Sequence, residues 1–140
     1  SKFLDRLTNG KYRNIWTPLG EQKLFVDTSD GRAIPVELLS AGTREQLFLA
    51  LRLTVVQDLA RQGIHLPMIL DDVFVNFDQY RSQLAAQVLI DFARDGHQLL
   101  LFTCHQHLAD AFGQLGVPPT RLPNRKDTTR TAELTPRLAG

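Results

Sequence analysis

The sequence has a single cysteine, Cys104, and no long hydrophobic run, and both shortages exclude classes of protein. One cysteine cannot build a framework of internal disulfides, so the composition is typical of a reducing compartment. No apolar run approaches the roughly 20 residues that a membrane-spanning helix needs. The first residues lack the apolar centre of a signal peptide. The sequence therefore predicts a soluble, cytoplasmic protein with no membrane partner.

The sequence also has little excess charge of either sign. Its 16 basic and 15 acidic residues leave a formal net charge of +1, so no global field favours nucleic acid. A contact with DNA would need a local patch, and solvated surface charge is the ordinary role of the basic residues near both ends of the chain: Lys2, Arg6, Lys11, Arg13, Arg125, Lys126 and Arg130. What the chain does have is 140 residues with 43% hydrophobic content, enough for one domain with a buried core.

Hydrophobic spacing predicts helices and strands in the first half of the chain. Residues 1–10 have the pattern of the last turns of a helix that stops at Gly10. Three short strands with a Ser-Asp-Gly hairpin turn follow and predict a small antiparallel meander. A long helix is then predicted from Thr43, because Thr43 and Gln46 have the spacing of a capping box.

Two apolar strands separated by an amphipathic helix predict a parallel βαβ unit. Residues 66–70 and residues 98–103 contain apolar residues at consecutive positions. Both faces of the strands would therefore be apolar, and we expect both faces of the sheet to be covered. Because the two strands run the same way, the residues that follow them emerge at one sheet edge, where open α/β sheets bind ligands. We therefore expect Asp71, Asp72 and His105 to converge.

Asp71 and Asp72 stand side by side after a buried strand, where burial and mutual repulsion both cost stability. Consecutive residues in extended backbone point in different directions. One carboxylate could then hold a magnesium ion while its neighbour polarises a water toward a phosphate. The alternative is that both are solvated residues that cap the turn after the strand.

Small residues precede the long helix. Ser40, Ala41 and Gly42 would leave free backbone amides at the positive end of the helix dipole, an arrangement that suits a phosphate. The alternative is an ordinary N-cap with a flexible glycine.

Histidine residues follow the second apolar strand. A lone histidine is more often structural than catalytic, but the expected convergence places His105 beside the two aspartates. His107 raises another hypothesis, a hydrolytic metal site formed by Asp71, Asp72, His105 and His107. That hypothesis is weaker, because His107 begins the next helix and no further ligand lies at the right spacing. Cys104 is expected to be a small buried residue rather than a nucleophile.

Three segments resemble, in order and spacing, the motifs of ABC-type ATPases. LLSAGTREQLFLALRL (38–53) is similar to the signature motif, LPMILDDVFVNFD (66–78) to the Walker B strand with its D-loop, and LLLFTCHQHL (99–108) to the strand with the switch histidine. The resemblance covers residues 1–115 and is to the SMC-like branch of chromosome-maintenance and DNA-repair ATPases, which includes YhaN-like and RecF-like proteins.

The resemblance implies an α/β fold, the carboxy-terminal lobe of an ABC/SMC-type P-loop ATPase head. Residues 1–10 would be the end of a coiled-coil helix that enters the head, and residues 11–140 would be the lobe. ATP and Mg²⁺ are the implied cofactors. Asp71 would organise the magnesium ion, Asp72 would stand at the place of the catalytic glutamate, and His105 would be the switch histidine.

The resemblance also implies contacts between two heads. Ser40 and Gly42 would contact the γ-phosphate of a nucleotide held by the opposing head of a homodimer, and Asn76 and Asp78 would form the D-loop at the dimer interface. Ala41 departs from the commoner signature glycine. Asp72 is shorter than glutamate by one methylene, which places the attacking water differently or slows turnover.

One part of such a site is missing from the sequence. No G-x-x-x-x-G-K-[ST] string is present, so the sequence lacks the loop whose backbone amides and lysine hold the phosphates of a nucleotide in its own head. The sequence therefore predicts a lobe that is inactive alone and needs an amino-terminal lobe, in a protein that acts on DNA in repair or chromosome maintenance. The alternatives are a non-catalytic ATPase-like module for dimerisation or docking, and a small metal-dependent hydrolase.

Overall fold

A computed structural model describes residues 2–123 of the chain. It contains two sheets and four α-helices, in the order α1 (Lys2–Leu7), β1 (Tyr12–Trp16), β2 (Phe25–Thr28), β3 (Ala33–Pro35), α2 (Ala41–Arg61), β4 (Met68–Asp71), α3 (Gln79–Arg94), β5 (Leu99–Phe102) and α4 (Gln106–Gln114). The predicted α/β class is therefore confirmed. Within the described part of the chain, no helix combines the length and apolarity needed to cross a membrane. Arg125, Lys126 and Arg130 lie outside the described residues.

The first sheet is the predicted antiparallel meander, in the order β1-β2-β3. Val26 at its centre is fully buried and lies opposite Ile15 and Ile34. The third strand is shorter than the sequence suggests, because Val36–Leu38 forms a single 3₁₀ turn. Pro35 has no amide proton with which to extend the ladder, and the turn carries Val36 into the core.

The long helix α2 begins at a different cap from the predicted one. Ser40 is the N-cap, and its Oγ accepts the backbone N–H of Thr43 at 3.4 Å. Gln46 is buried and donates its side-chain amide to the carbonyl of Leu7 at the end of α1. The predicted Thr43/Gln46 capping box is therefore wrong. The Gln46 side chain bonds to a carbonyl at the end of another helix instead of to the backbone N–H of Thr43.

Helix α1 is fixed to helix α3 as well as to α2. The rings of Phe3 and Phe92 meet edge to face, with centroids 5.5 Å apart. The guanidinium of Arg6 forms an ion pair with Asp91, and this hydrogen bond holds the pKa of the Asp91 carboxyl below its usual range. Arg6 is thus engaged within the fold. That residues 1–10 end a coiled coil stays a prediction.

The second sheet is the predicted parallel pair, in which β4 and β5 align Leu70 with Leu101. The prediction that both faces of this sheet are buried is wrong for the described residues. Leu70 is 1% exposed, whereas Ile69 is 64% exposed and Phe102 on the neighbouring strand is 40% exposed. The described residues therefore cover one face of this sheet and leave an apolar face open.

Candidate functional site

Polar residues that follow β4 and β5 meet at one edge of the parallel sheet. The backbone N–H of Asp72 donates to the carbonyl of Phe102 at 3.0 Å, which extends the ladder by one step beyond β4. The ligand atoms of Asp72, Cys104 and His105 all lie within 4.8 Å of one another. The structure therefore brings Asp72 and His105 together. Asp71 ends β4 as an exposed residue and is not a member of this group.

The sequence predicts extended backbone at Asp72, but the structure has left-handed backbone there, with a φ of 45°. Aspartate is one of the few residues besides glycine that visit this region, at a cost of about 1–3 kcal/mol. The Asp72 carboxylate compensates by accepting the backbone N–H of Cys104 at 3.4 Å, and its second oxygen lies 3.5 Å from the Cys104 sulfur. The turn at Asp72 thus directs its carboxylate toward the end of β5.

The surroundings of Asp72 favour its ionised form. Partial burial raises the pKa of Asp72, but hydrogen bonds from Cys104 and Thr103 and the nearby His105 outweigh it, so the pKa is lowered. The opposite holds for Cys104, whose hydrogen bond to Asp72 and proximity to that charge raise the pKa of the thiol. Cys104 is therefore a neutral donor to Asp72. The predicted burial of Cys104 is wrong, because the residue follows the end of β5 and is exposed there. Sequence reasoning missed its role as a donor, and the only signal was its position directly before His105.

We expect Asp72→Asn to increase the alkylation rate of Cys104 several-fold between pH 7 and pH 8. Removing the carboxylate charge lowers the pKa of Cys104, so more of the nucleophilic thiolate is present and the rate profile moves to lower pH. Mass spectrometry of iodoacetamide labelling measures the rate. Asp71→Asn is the matched control, since Asp71 contributes least to raising the pKa, and it should change the rate less. Equal rates in the wild type and Asp72→Asn would contradict the contact.

Two of the four ligands proposed for a hydrolytic metal site, Asp71 and His107, do not join the other two. The group that the described residues form contains Asp72, Cys104 and His105, and neither Asp71 nor His107 belongs to it. Helix α4 begins at Gln106 and carries His107 in its first turn. The ring centroids of His105 and His107 are 5.6 Å apart. The four-residue metal site is therefore wrong.

Asp71 fits the role of a magnesium ligand in one respect. Its exposed side chain makes no hydrogen bond or ion pair with the other residues of 2–123, so its oxygens are free to coordinate a hard cation.

A second polar cluster joins the start of α2 to the segment before α3. The Asn76 side-chain amide donates to Glu45, and the Arg81 guanidinium donates to Thr43 Oγ1 at 3.4 Å. Asp78 is the N-cap of α3 and accepts the backbone N–H of Arg81 at 2.8 Å. The residues predicted for the signature motif and the D-loop are thus packed against each other within one chain.

Gly42 is the point of closest approach in this cluster. A Cβ at Gly42 would lie 2.5 Å from the carbonyl oxygen of Asn76 and 2.8 Å from Nη1 of Arg81. No real Cβ tolerates the first of these distances, so the packing itself requires glycine. Ser40, by contrast, is an exposed N-cap, which is the ordinary role the sequence left open.

We expect Gly42→Ala to lower the free energy of unfolding by about 1–3 kcal/mol, the usual cost of overpacking. The backbone of Asn76 must move to admit the methyl group. Gly113→Ala is the control, because a Cβ there would make an ordinary contact 3.8 Å from Pro119, and alanine is the better helix former. Urea unfolding of both variants measures the difference. Equal stability of the two variants would contradict the packing of Asn76 on Gly42.

Curated relatives match most of the chain. It is 42% identical over 112 residues, 79% of its length, to the uncharacterized protein YhaN of Bacillus subtilis. It is 36% identical over 93 residues, 66% of its length, to the DNA double-strand break repair Rad50 ATPase of Sulfolobus acidocaldarius. The chain spans only 11% and 10% of the lengths of these relatives. No protein-family model matches it.

Solved structures of SMC proteins share the fold. A structure from work on ATP-driven dimerization and DNA-stimulated activation of SMC ATPases has a TM-score of 0.60 at 15% identity, covering 81% of this chain and 66% of that one. The SMC head domain from Thermotoga maritima has a TM-score of 0.55 at 18% identity, covering 79% and 37%. These structures confirm the predicted fold, and the sequence relatives agree with it. The chain thus belongs to the SMC-like ABC ATPases and corresponds to part of their head.

Proposed function

We propose that the chain is the carboxy-terminal lobe of a head that binds and hydrolyses ATP between two engaged heads. The observation that carries this proposal is the meeting of Asp72 and His105 after two adjacent parallel strands. That edge is where open α/β sheets bind ligands. A carboxylate with a lowered pKa beside an imidazole suits the positioning of a water and the donation of a hydrogen bond to a phosphate.

Each residue at this edge then has a task. Asp71, whose oxygens are free, would hold Mg²⁺, and that ion would neutralise charge on the β- and γ-phosphates when bound. Asp72 orients the attacking water and accepts a hydrogen bond from it. His105 donates to an oxygen of the γ-phosphate. Cys104 holds the Asp72 carboxylate through its backbone N–H and thiol, which fixes the orientation of that group.

The exposed end of α2 would serve the nucleotide of the opposing head. Ser40 caps a 21-residue helix whose first turn contains no acidic residue, so no carboxylate of that turn offsets the positive end of the helix dipole. Because the Cα of Gly42 faces Asn76 and Arg81, a contact from Gly42 to phosphate would come from its backbone amide. Asn76 and Asp78 lie beside this helix start and would form the D-loop contact between heads.

The open face of the parallel sheet suggests where the amino-terminal lobe of the same head docks. Ile69 is 64% exposed, Leu100 is 42% exposed and Phe102 is 40% exposed. Covering these apolar side chains would remove them from water and bring the missing phosphate-binding loop to the carboxyl ends of the strands.

We also propose that the full protein acts on DNA, in repair or chromosome maintenance. The support comes from the relatives, one of which is named for DNA double-strand break repair. The basic residues near the start of the chain add little, because Arg6 pairs with Asp91 and the ammonium of Lys11 lies 5.4 Å from the ring centroid of Tyr12. The cytoplasmic location stays a prediction.

The second candidate function is a non-catalytic lobe that serves for dimerisation or docking. The absence of a phosphate-binding string from the sequence favours it. A reading frame that encodes no such loop upstream of this chain would make it the better proposal.

Hydrolysis by the assembled head distinguishes the two functions. We define the assembled head as this chain joined to the amino-terminal lobe of its own protein. We expect magnesium-dependent release of phosphate from ATP, with a rate per head that rises with protein concentration because two heads must engage. An assembled head that dimerises without hydrolysing ATP would favour the docking module.

A further inference from the structure

The hydroxyl of Ser40 has a hydrogen-bonding direction that its neighbours determine. Its Oγ lies 2.8 Å from Oγ1 of Thr43, and either hydroxyl could be the donor. The same Oγ accepts the backbone N–H of Thr43 at 3.4 Å. A serine hydroxyl has one proton and two lone pairs. The direction of the bond to Thr43 therefore decides whether Ser40 keeps its proton for an anion.

Arg81 selects one of the two directions. Its Nη2 donates to Thr43 Oγ1 at 3.4 Å, and a guanidinium can only donate. Thr43 is 5% exposed, so its own proton needs a partner within the protein. Among residues 2–123, the acceptor within reach of that proton is Ser40 Oγ. Thr43 therefore donates to Ser40, whose lone pairs are both engaged and whose proton is left free.

The position of Arg81 depends on the residues around it. Asp78 lies on one side, with 3.7 Å between its Oδ2 and Nη1 of the guanidinium. Gly42 leaves the space on the other side, since a Cβ there would come within 2.8 Å of Nη1. The guanidinium also stands at the positive end of α2, where the Asp78 carboxylate offsets part of the unfavourable charge.

We propose that Arg81 and Thr43 are positioning residues that orient the exposed Ser40 hydroxyl as a donor toward an anionic oxygen. This inference rests on the proposed function, under which that oxygen belongs to the γ-phosphate of a nucleotide held by the opposing head. The hydrogen bonds run from Arg81 to Thr43, from Thr43 to Ser40 and from Ser40 to phosphate. Neither positioning residue needs to touch the nucleotide.

The test measures ATP-dependent dimerisation of the assembled head by analytical ultracentrifugation. Thr43→Val keeps the shape of the side chain and removes the hydroxyl, and it should raise the dimer Kd about tenfold, the scale of one hydrogen bond. Thr43→Ser keeps the hydroxyl and should rescue dimerisation. Arg81→Met keeps the stem without the donors and should act like Thr43→Val. Binding of Mg-ATP to a single head should change in none of them.

A double variant separates orientation from simple stabilisation of the helix. If Thr43 acts through Ser40, then Ser40→Ala/Thr43→Val should dimerise no more weakly than Ser40→Ala alone. Additive losses would overturn the proposal. Weaker dimerisation of the Ser40→Ala head would support the proposed function. If the Thr43→Val and Arg81→Met heads then dimerised normally, the positioning role would be overturned and the proposed function would stand. A Ser40→Ala head that dimerises normally would overturn both the orientation and the signature role of Ser40.

Discussion

Asp72→Asn in the assembled head is expected to lower the rate of ATP hydrolysis by about 10²- to 10⁴-fold, the usual contribution of a positioned acid or base. Affinity for Mg-ATP should change little, because asparagine has nearly the same shape and also tolerates left-handed backbone. Its side-chain oxygen can still accept the backbone N–H of Cys104. Single-turnover hydrolysis and equilibrium binding of a fluorescent ATP analogue measure the two steps separately.

Asp71→Asn is the comparison for this prediction. Asp71 is the proposed magnesium ligand, so its loss should weaken magnesium-dependent binding of ATP as well as hydrolysis. If Asp72→Asn impaired binding and hydrolysis equally, Asp72 would be a ligand of the metal or nucleotide and its assignment as the residue that orients water would be wrong.

Ser40→Arg is expected to weaken ATP-dependent engagement of two heads by at least about 100-fold, the scale of losing a central interface contact. Ser40 is exposed at the start of α2, so a long side chain there would project into the surface that meets the opposing nucleotide. Removing the N-cap hydroxyl would also cost about 1 kcal/mol of helix stability. Chromatography with light scattering, with and without ATP, measures the dimer.

The control for Ser40→Arg adds an arginine elsewhere on the surface. Leu19 lies in the loop between β1 and β2 and is fully exposed, so Leu19→Arg should dimerise like the wild type. Ser40→Asn keeps a side chain that caps helices well and should preserve thermal stability. Normal dimerisation of the Ser40→Arg head would remove Ser40 from the interface.

The parallel unit and its polar edge could be predicted from sequence because local patterns determine them. Hydrophobic spacing placed β4, α3 and β5, and the common direction of the strands placed Asp72 beside His105. The left-handed turn at Asp72 could not be predicted, since it depends on hydrogen bonds from Cys104, a residue that is 32 positions away in the chain.

The start of α2 shows a second limit of local patterns. Ser40 and Thr43 are both good capping residues, and sequence alone gave preference to Thr43 because Gln46 completes a capping box. The choice was made instead by tertiary structure, in which Gln46 bonds to Leu7. Likewise, the apolar pattern of β4 and β5 gives no indication that one face, with Ile69, is left open by the described residues.

Calorimetric titration of Mg-ATP tests most directly whether this chain is one half of a nucleotide site. The titration is made into the 140-residue chain alone and into the assembled head under the same conditions. We expect no binding to the chain alone, because its sequence has no G-x-x-x-x-G-K-[ST] string, and micromolar binding to the assembled head. Micromolar binding to the chain alone would show that it builds a complete phosphate site, and the half-site proposal would be wrong.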